Sequence, residues 1–399
     1  MNDMTRRRFL IKAGMASGAG LAAAGGLITF EELTRRSAAS PPAPAGTGIL
    51  VVLTLYGGND GLNTVVPYAD PAYASARQTL AYKPDEVLKL DDTLGLNPML
   101  KGTQALWAQH KVAIVRGVEY PNPDFSHFRS MDIWQTASPD QPIQTGWIGR
   151  WLDATGADPL HAINVGSVLP PLAIGARTSA VSLQTTGSSP LPAIAESAIT
   201  GLGVAGPGDS TTTSYVTASF RAERTAAQTL SKLPTDTSPT GTDLQKQLDL
   251  VARCIKAGVP ASVYSVDLGN FDTHADEKGT HETQLADLDT SVSQFMTQLD
   301  GDPRRNDVVL LVYSEFGRRV TMNASNGTDH GSSGPVFVIG DRVKGGFYGE
   351  QPSMTNLDNG NLRSSVDFRS VYGEMLHRVL GADPQQILSA TKPELGVLA

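Results

Sequence analysis

The chain has 399 residues, 40% hydrophobic and 18% charged, enough for one large α/β domain with a sizeable core. Its formal net charge of −8 (32 Lys and Arg against 40 Asp and Glu) excludes a nucleic-acid binder held by a basic face. One cysteine, Cys254, excludes an internal disulfide.

The first 45 residues read as a targeting segment rather than as fold. Arg6 and Arg7 precede Arg8, Phe9, Leu10 and Lys12, and a Gly/Ala-rich, weakly apolar run follows to Phe30. This is the pattern of a twin-arginine export signal. It predicts engagement with the twin-arginine translocase, a periplasmic or extracellular mature protein, and no stable membrane span after processing. Cleavage is compatible with either "SAAS" or "APAG", ending at Ala45.

From residue 46 onward, apolar runs alternate with helical patterns, the signature of an α/β domain with a largely parallel sheet. "ILVVLTL" around residues 50–55 has no alternation and predicts a strand buried on both faces. Further strands are expected at 111–118, 161–166, 261–268, 307–313 and 335–340. Helices are expected near 99–110, 126–137, 147–154, 243–257, 280–299 and 366–380. The helix at 280–299 is the clearest, with Leu285, Leu288, Val292, Phe295 and Leu299 forming one stripe and His281 one turn earlier on it. Cys254 falls in a helical pattern as a buried apolar thiol. Residues 183–242 are rich in Ser, Thr, Gly and Pro and read as an insertion or cap.

Ligands of parallel sheets bind beyond the carboxyl ends of the strands. There the sequence places its polar clusters. "ILVVLTL" runs into "YGGNDGLN", which carries Asp60; "KVAIVRGV" runs into "EYPNPDFSHF", with Ser126 and His127. "ASVYSVDL" runs into "GNFDTHADE", with Asp272 and His274. "DVVLLVY" runs into "SEFGRR", with Glu315 and Arg318, and the same loop continues to Asp329 and His330 in "GTDHG".

Each cluster has a bland reading. "GGND" makes a turn, Ser126 caps a helix, and Asp272 or Thr273 does the same. The chemical reading uses the same positions. A serine at a helix start sits where backbone amides favour an anion and can attack a phosphoryl or sulfuryl group. His127 can act as base or ligand, and Arg129 can clamp an anionic oxygen. Asp272 and His274, two apart in an extended segment, project to one side and can share a cation.

Together, "LVVLTLYGGNDGLNTVVPY", "LGLNPML", "PDFSHFRSMDIWQTA", "DLGNFDTHAD", "SEFGRRV", "GTDHGSSGPVFVIG" and "SSVDFRSVYGEML" resemble the exported bacterial family called domain of unknown function 1501. That family is grouped with the alkaline phosphatase/sulfatase-like superfamily. The resemblance implies an alkaline-phosphatase-like α/β fold, a central, largely parallel mixed sheet flanked by helices on both faces. It also implies one or two divalent metals (Zn, Mn, Ca or Mg) beside a nucleophile. On this pattern Ser126 resembles the nucleophile. Asp60, Asp272, His274, Glu315, Asp329 and His330 take positions of the metal set, and Arg129 or Arg318 would hold a substrate oxygen. "SEFG" departs from the superfamily's "S-D-H-G", with Glu315 for the aspartate and Phe316 for the histidine.

The expectation is therefore an exported, metal-dependent hydrolase of small-molecule or polymer phosphate or sulfate esters. The alternative is a catalytically inactive binder of a polymer, sugar or partner protein on the same scaffold. A metal-free serine hydrolase using Ser126 and His330 ranks below both, since no G-x-S-x-G elbow is present.

Overall fold

The computed structural model describes residues 27–28, 33–34, 48–185 and 241–399. The expected export signal and most of the expected insertion lie outside the described residues. No helix among the described residues is long and apolar enough to cross a membrane.

Among the described residues, ten strands form the main sheet. In chain order they are β1 (Leu27–Ile28), β2 (Ile49–Leu55), β3 (Val112–Glu119), β4 (Ala162–Val165), β5 (Val181–Leu183), β6 (Val263–Leu268), β7 (Val308–Ser314), β8 (Gly334–Ile339), β9 (Gly346–Tyr348) and β10 (Val366–Asp367). Their spatial order is β1-β5-β4-β6-β2-β7-β8-β3-β9, with β10 also paired to β3. Every pairing is parallel except the two that β8 makes, with β7 and with β3. The sheet is thus mixed but largely parallel. Two antiparallel steps restore direction, so β3 runs the same way as β2, β6 and β7, and all four open their carboxyl ends on one edge.

The apolar run of β2 predicts burial on both faces, and all seven of its residues are buried. Ile49, Val51, Leu53 and Leu55 point into one core with Val308, Leu310 and Val312 of β7. Leu50 and Val52 point into the other with Val309, Leu311 and Tyr313. Helices α1 (Pro71–Arg77), α2 (Lys101–Ala108), α3 (His127–Thr136), α4 (Trp147–Thr155), α5 (Asp243–Lys256), α6 (Glu277–Gln298) and α7 (Phe368–Glu374) surround this sheet. Leu248, Val251 and Ile255 of α5 and Leu285, Val292 and Phe295 of α6 cover the first face. Ile133 and Trp134 of α3, Trp151 of α4 and Tyr372 of α7 cover the second. Each such side chain contributes about 1.5–3 kcal/mol of burial. Two-sided burial makes the sheet a rigid platform for the loops at its carboxyl edge.

Helix α6 begins at Glu277, three residues before the apolar stripe predicts. Asp276 and Glu277 donate their backbone N–H groups to the carbonyls of Ser325 and Asn326, so the loop after β7 starts this helix. Cys254 is fully buried in α5, and burial pushes its thiol up to about 12.

Candidate metal centre

Beyond β2 the chain turns through Gly57 and Gly58, both at positive φ (+120° and +72°). A Cβ on Gly57 would stand 2.5 Å from the Asp272 amide nitrogen, and one on Gly58 would stand 2.2 Å from a Phe316 ring carbon. Only glycine lets this loop press against the loops after β6 and β7.

Arg318 then staples the three loops together. Its Nε donates to Gly58 O (2.6 Å), Nη1 to Thr328 O (2.9 Å), and Nη2 to Phe271 O (2.9 Å), to Asp272 Oδ1 (2.9 Å) and to Gly57 O. The side chain is buried. A guanidinium has five donors in a fixed fork, and all three nitrogens of this one are committed to the protein. The geometry gives Arg318 the work of shaping the edge rather than of reaching a substrate.

At that edge three imidazoles close on one carboxylate. His274 Nε2 lies 3.0 Å and His330 Nε2 3.2 Å from Asp272 Oδ1, and the two nitrogens are 2.9 Å apart. His127 Nε2 lies 3.4 Å from Asp272 Oδ2. One ligating atom from each of His127, Asp272 and His330 falls within 4.8 Å of the others.

The far nitrogen of each ring is backed by an oxygen. His127 Nδ1 donates to Glu315 Oε1 at 2.8 Å, and His330 Nδ1 donates to the Phe125 carbonyl at 2.7 Å. His274 Nδ1 stands 3.6 Å from Asp329 Oδ1. A proton held on Nδ1 leaves the lone pair on Nε2, facing inward. This is how a metal-binding histidine is oriented from behind. The buried Glu315 is held in turn by the Gly57 N–H (2.8 Å) and the Ser314 hydroxyl (2.8 Å). Asn323 Nδ2 holds Asp329 at 3.1 Å. Glu315 and Asp329 therefore stand behind the rings, while Asp272, His274, His330 and His127 face the centre. Phe316 closes one wall, its ring 4.9 Å from that of His127 and 4.8 Å from that of His330.

The charges follow from this packing. Burial alone would raise Asp272, but Arg318 and His330 bring its carboxyl down to about 2. The Glu315 hydrogen bond raises the His127 imidazole. Burial lowers His330. A neutral imidazole and an ionised carboxylate are the forms that coordinate a cation. His127, Asp272 and His330 offer two nitrogens and an oxygen, with His274 beside them, donors that suit a first-row dication.

Ser126 precedes α3 and is exposed. It occupies the cap position, yet its hydroxyl makes no cap bond; its own N–H donates to Asp124 Oδ1 at 2.8 Å. The hydroxyl, one residue before His127 in the chain, is thus not spent on capping. Arg129 turns along its own helix, donating to Asp132 (2.5 Å) and to the Pro139 carbonyl (3.2 Å).

The structure does not bring Asp60 into the imidazole cluster. Its carboxylate is fully buried, accepts from both terminal nitrogens of Arg77, and takes the Leu62 N–H at 3.2 Å. Burial would raise it, but the Arg77 charge holds it below the ordinary carboxylate range. Glu277 lies alongside, raised by burial and by Asp60, and accepts the Thr328 hydroxyl at 2.6 Å. His281 Nε2 meets Asn59 Oδ1 at 2.9 Å, and burial depresses this ring to about 4. This second polar nest was not visible in the sequence. Arg77 sits in "PAYASARQTL", which carries no motif that links it to Asp60.

The family profile described as Protein of unknown function (DUF1501) matches residues 118–394. No curated protein matches the chain. Among solved structures, the chain is similar to a protein in the alkaline phosphatase superfamily from Vibrio parahaemolyticus. The identity there is 12%, the TM-score 0.44, and the match covers 91% of this chain and 78% of that one. It is similar also to murine ectonucleotide pyrophosphatase/phosphodiesterase 5 (10% identity, TM-score 0.42, 88% of this chain and 100% of that one). A third is the lipoteichoic acid synthase LtaP from Listeria monocytogenes (8% identity, TM-score 0.39, 90% and 80%).

Proposed function

The chain belongs to the DUF1501 family, and from that premise we propose that it is an exported, metal-dependent hydrolase of phosphate or sulfate esters. The observation that carries this reading is the convergence of three Nε2 atoms on Asp272, each ring backed by an oxygen. Export rests on the Arg6–Lys12 pattern of the sequence, which supports engagement of the twin-arginine translocase and a periplasmic or extracellular location.

His127, His274, His330 and Asp272 would hold the ion. When bound, such an ion lowers the pKa of a nearby hydroxyl and offsets the charge of ester oxygens. Ser126 offers the nucleophilic hydroxyl. The N–H groups of the first turn of α3 have no intrahelical acceptors and favour an anionic ester beside that hydroxyl. Glu315 keeps the His127 proton on Nδ1.

Two observations favour the second reading, an inactive binder on the same scaffold. Arg77 already neutralises Asp60, and Phe316 replaces a histidine of the superfamily pattern, so among the described residues one candidate cation site is left. Metal analysis of the exported protein with a panel of phosphate and sulfate esters separates the two. The hydrolase reading expects about one dication per chain and a turnover that chelator and Ser126→Ala both abolish. Bound metal without turnover on any ester supports the binder, and a turnover indifferent to chelator and to Ser126→Ala overturns the proposal.

A further inference from the structure

Two short pieces, Leu27–Ile28 and Leu33 with Thr34, lie within the stretch that the sequence reads as a targeting segment. Both belong to the folded domain. Strand β1 runs parallel to β5, with Leu27 opposite Ser182 and Ile28 opposite Leu183. On its other side β5 pairs with β4, so among the described residues β1 covers what is otherwise the outer edge of the sheet. Leu33 is 0% exposed and joins the core that α5 and α6 cover.

These contacts decide between the points at which a leader can be cut. A cut after Ser40 in "SAAS", or after Ala45 in "APAG", removes β1 and Leu33 together. It opens the β5 edge, a row of unpaired backbone groups ready to pair with another chain. It also withdraws a buried leucine from the core, one of the costlier losses a core can suffer. A third run of small residues lies upstream of both. Ala22, Ala23 and Ala24 stand directly before Gly25, Gly26 and Leu27. They have the A-x-A form of a processing site, behind a charged start and a weakly apolar middle. A cut there leaves every contact of β1 and Leu33 in place.

We propose that the mature chain begins at Gly25 and keeps β1 and Leu33 as working parts of its fold. Water adds across the Ala24–Gly25 peptide bond in a signal-processing endopeptidase, leaving a carboxylate on Ala24 and a new amine on Gly25. The inference rests on the export reading of Arg6 and Arg7 and adds the point of processing. The two glycines become a short lead into the edge strand.

The test is intact-mass measurement and N-terminal sequencing of the full chain, produced in a bacterium with twin-arginine export and recovered from its periplasm. The expected N-terminus is Gly25. Ala24→Leu should block processing, whereas Ala45→Leu should leave it unchanged. A mature chain that starts at Pro41 or Gly46 overturns the proposal and leaves export standing. A full-length chain that stays inside the cell overturns it together with the export reading. Urea unfolding reads the structural half without reference to export. Leu33→Ala should lower the midpoint by about 1 M or more. Leu33→Met, close in volume, should keep most of the wild-type value. Equal midpoints in all three proteins would take Leu33 out of the core and overturn the proposal as well.

Discussion

Glu315 Oε1 stands 2.8 Å from His127 Nδ1 and 2.8 Å from the Gly57 N–H, so one buried carboxylate oxygen fixes both a ring of the candidate metal centre and the glycine turn beneath it. His127 is raised by this hydrogen bond first and by the Glu315 charge after it. A histidine raised in the folded state contributes stability that is fully present below its ordinary value of 6.5 and is lost as pH rises through the folded value. Glu315→Gln removes the charge and keeps an acceptor. It should lower the titration midpoint of His127 in the metal-free protein and cost about 1–3 kcal/mol of stability. Histidine-ring NMR against pH and urea unfolding measure the two effects. An unmoved His127 midpoint would show that Glu315 does not govern this ring.

The ligand assignment predicts a graded loss of metal. His330→Ala, His274→Ala and Asp272→Asn remove groups that face the centre and should abolish stoichiometric metal. Glu315→Gln, one layer back, should weaken affinity by about 10–100-fold. Ser126→Ala should leave metal content unchanged and remove turnover. Equilibrium dialysis followed by elemental analysis distinguishes the three grades. Full metal content in His330→Ala would remove that residue from the set.

Asp60 and Arg77 form a buried bidentate pair, and removing either partner strands a charge. Asp60→Asn or Arg77→Met alone should cost about 3–5 kcal/mol, and the double variant should recover much of it. Metal content should stay at the wild-type level in all folded variants. Guanidinium unfolding gives the first result and elemental analysis the second. Loss of metal from a folded Asp60→Asn protein would return Asp60 to the ligand set.

Much of the edge was legible because one signal carried it. The unalternated apolar run of β2 marked it as an interior strand, the runs at 261–268 and 307–313 marked further strands, and in a parallel sheet their following loops must share an edge. That placed Asp272, His274, Glu315, Asp329 and His330 near one another without any contact being known. The sequence did not separate ligand from support. Glu315 and Asp272 are both acidic residues after a strand, and only the direction of each side chain tells that Asp272 faces the centre and Glu315 backs His127. Nor did it reveal that Arg318 spends its donors on four backbone carbonyls and Asp272, since its type alone fits a substrate clamp equally well. The Asp60–Arg77 pair joins segments 17 residues apart through a side-chain contact, which no periodicity encodes.

Gly58 and Gly258 give a matched pair of left-handed glycines. Their φ values are +72° and +71°, but a Cβ on Gly58 meets the Phe316 ring at 2.2 Å, whereas one on Gly258 meets nothing within 4 Å. Alanine at either site carries the backbone cost, on the order of 1 kcal/mol. Gly58→Ala must also displace a buried ring that packs on His127 and His330, so it should cost about 1–3 kcal/mol more. It should also weaken metal binding, which Gly258→Ala should not. Thermal unfolding and metal titration of the two variants check both differences. Equal losses would mean that Phe316 yields freely and does not set the imidazoles.

Glu119, at the end of β3, is 1% exposed and accepts the Tyr120 and Ser333 N–H groups, each at 2.9 Å. Burial nevertheless pushes its carboxyl up from 4.5 to about 8, against the pull of those two bonds. The folded protein then holds this proton over a pH range in which the unfolded chain has released it. Below pH 4.5 the group is neutral in both states and its contribution is fully present. As pH rises from 4.5 to about 8 the unfolded chain binds fewer protons than the folded one, and stability falls by up to about 1.4 kcal/mol per pH unit. Above 8 both states are ionised and the loss is complete. Glu119→Gln does not titrate and keeps an acceptor for one of the two amides. It should be as stable as the wild type or slightly less so at pH 5, and more stable than it at pH 8.5. Urea unfolding of both proteins at the two pH values reads the crossover. A stability difference constant across that range would mean that Glu119 stays ionised when folded, its two amide donors outweighing the loss of water.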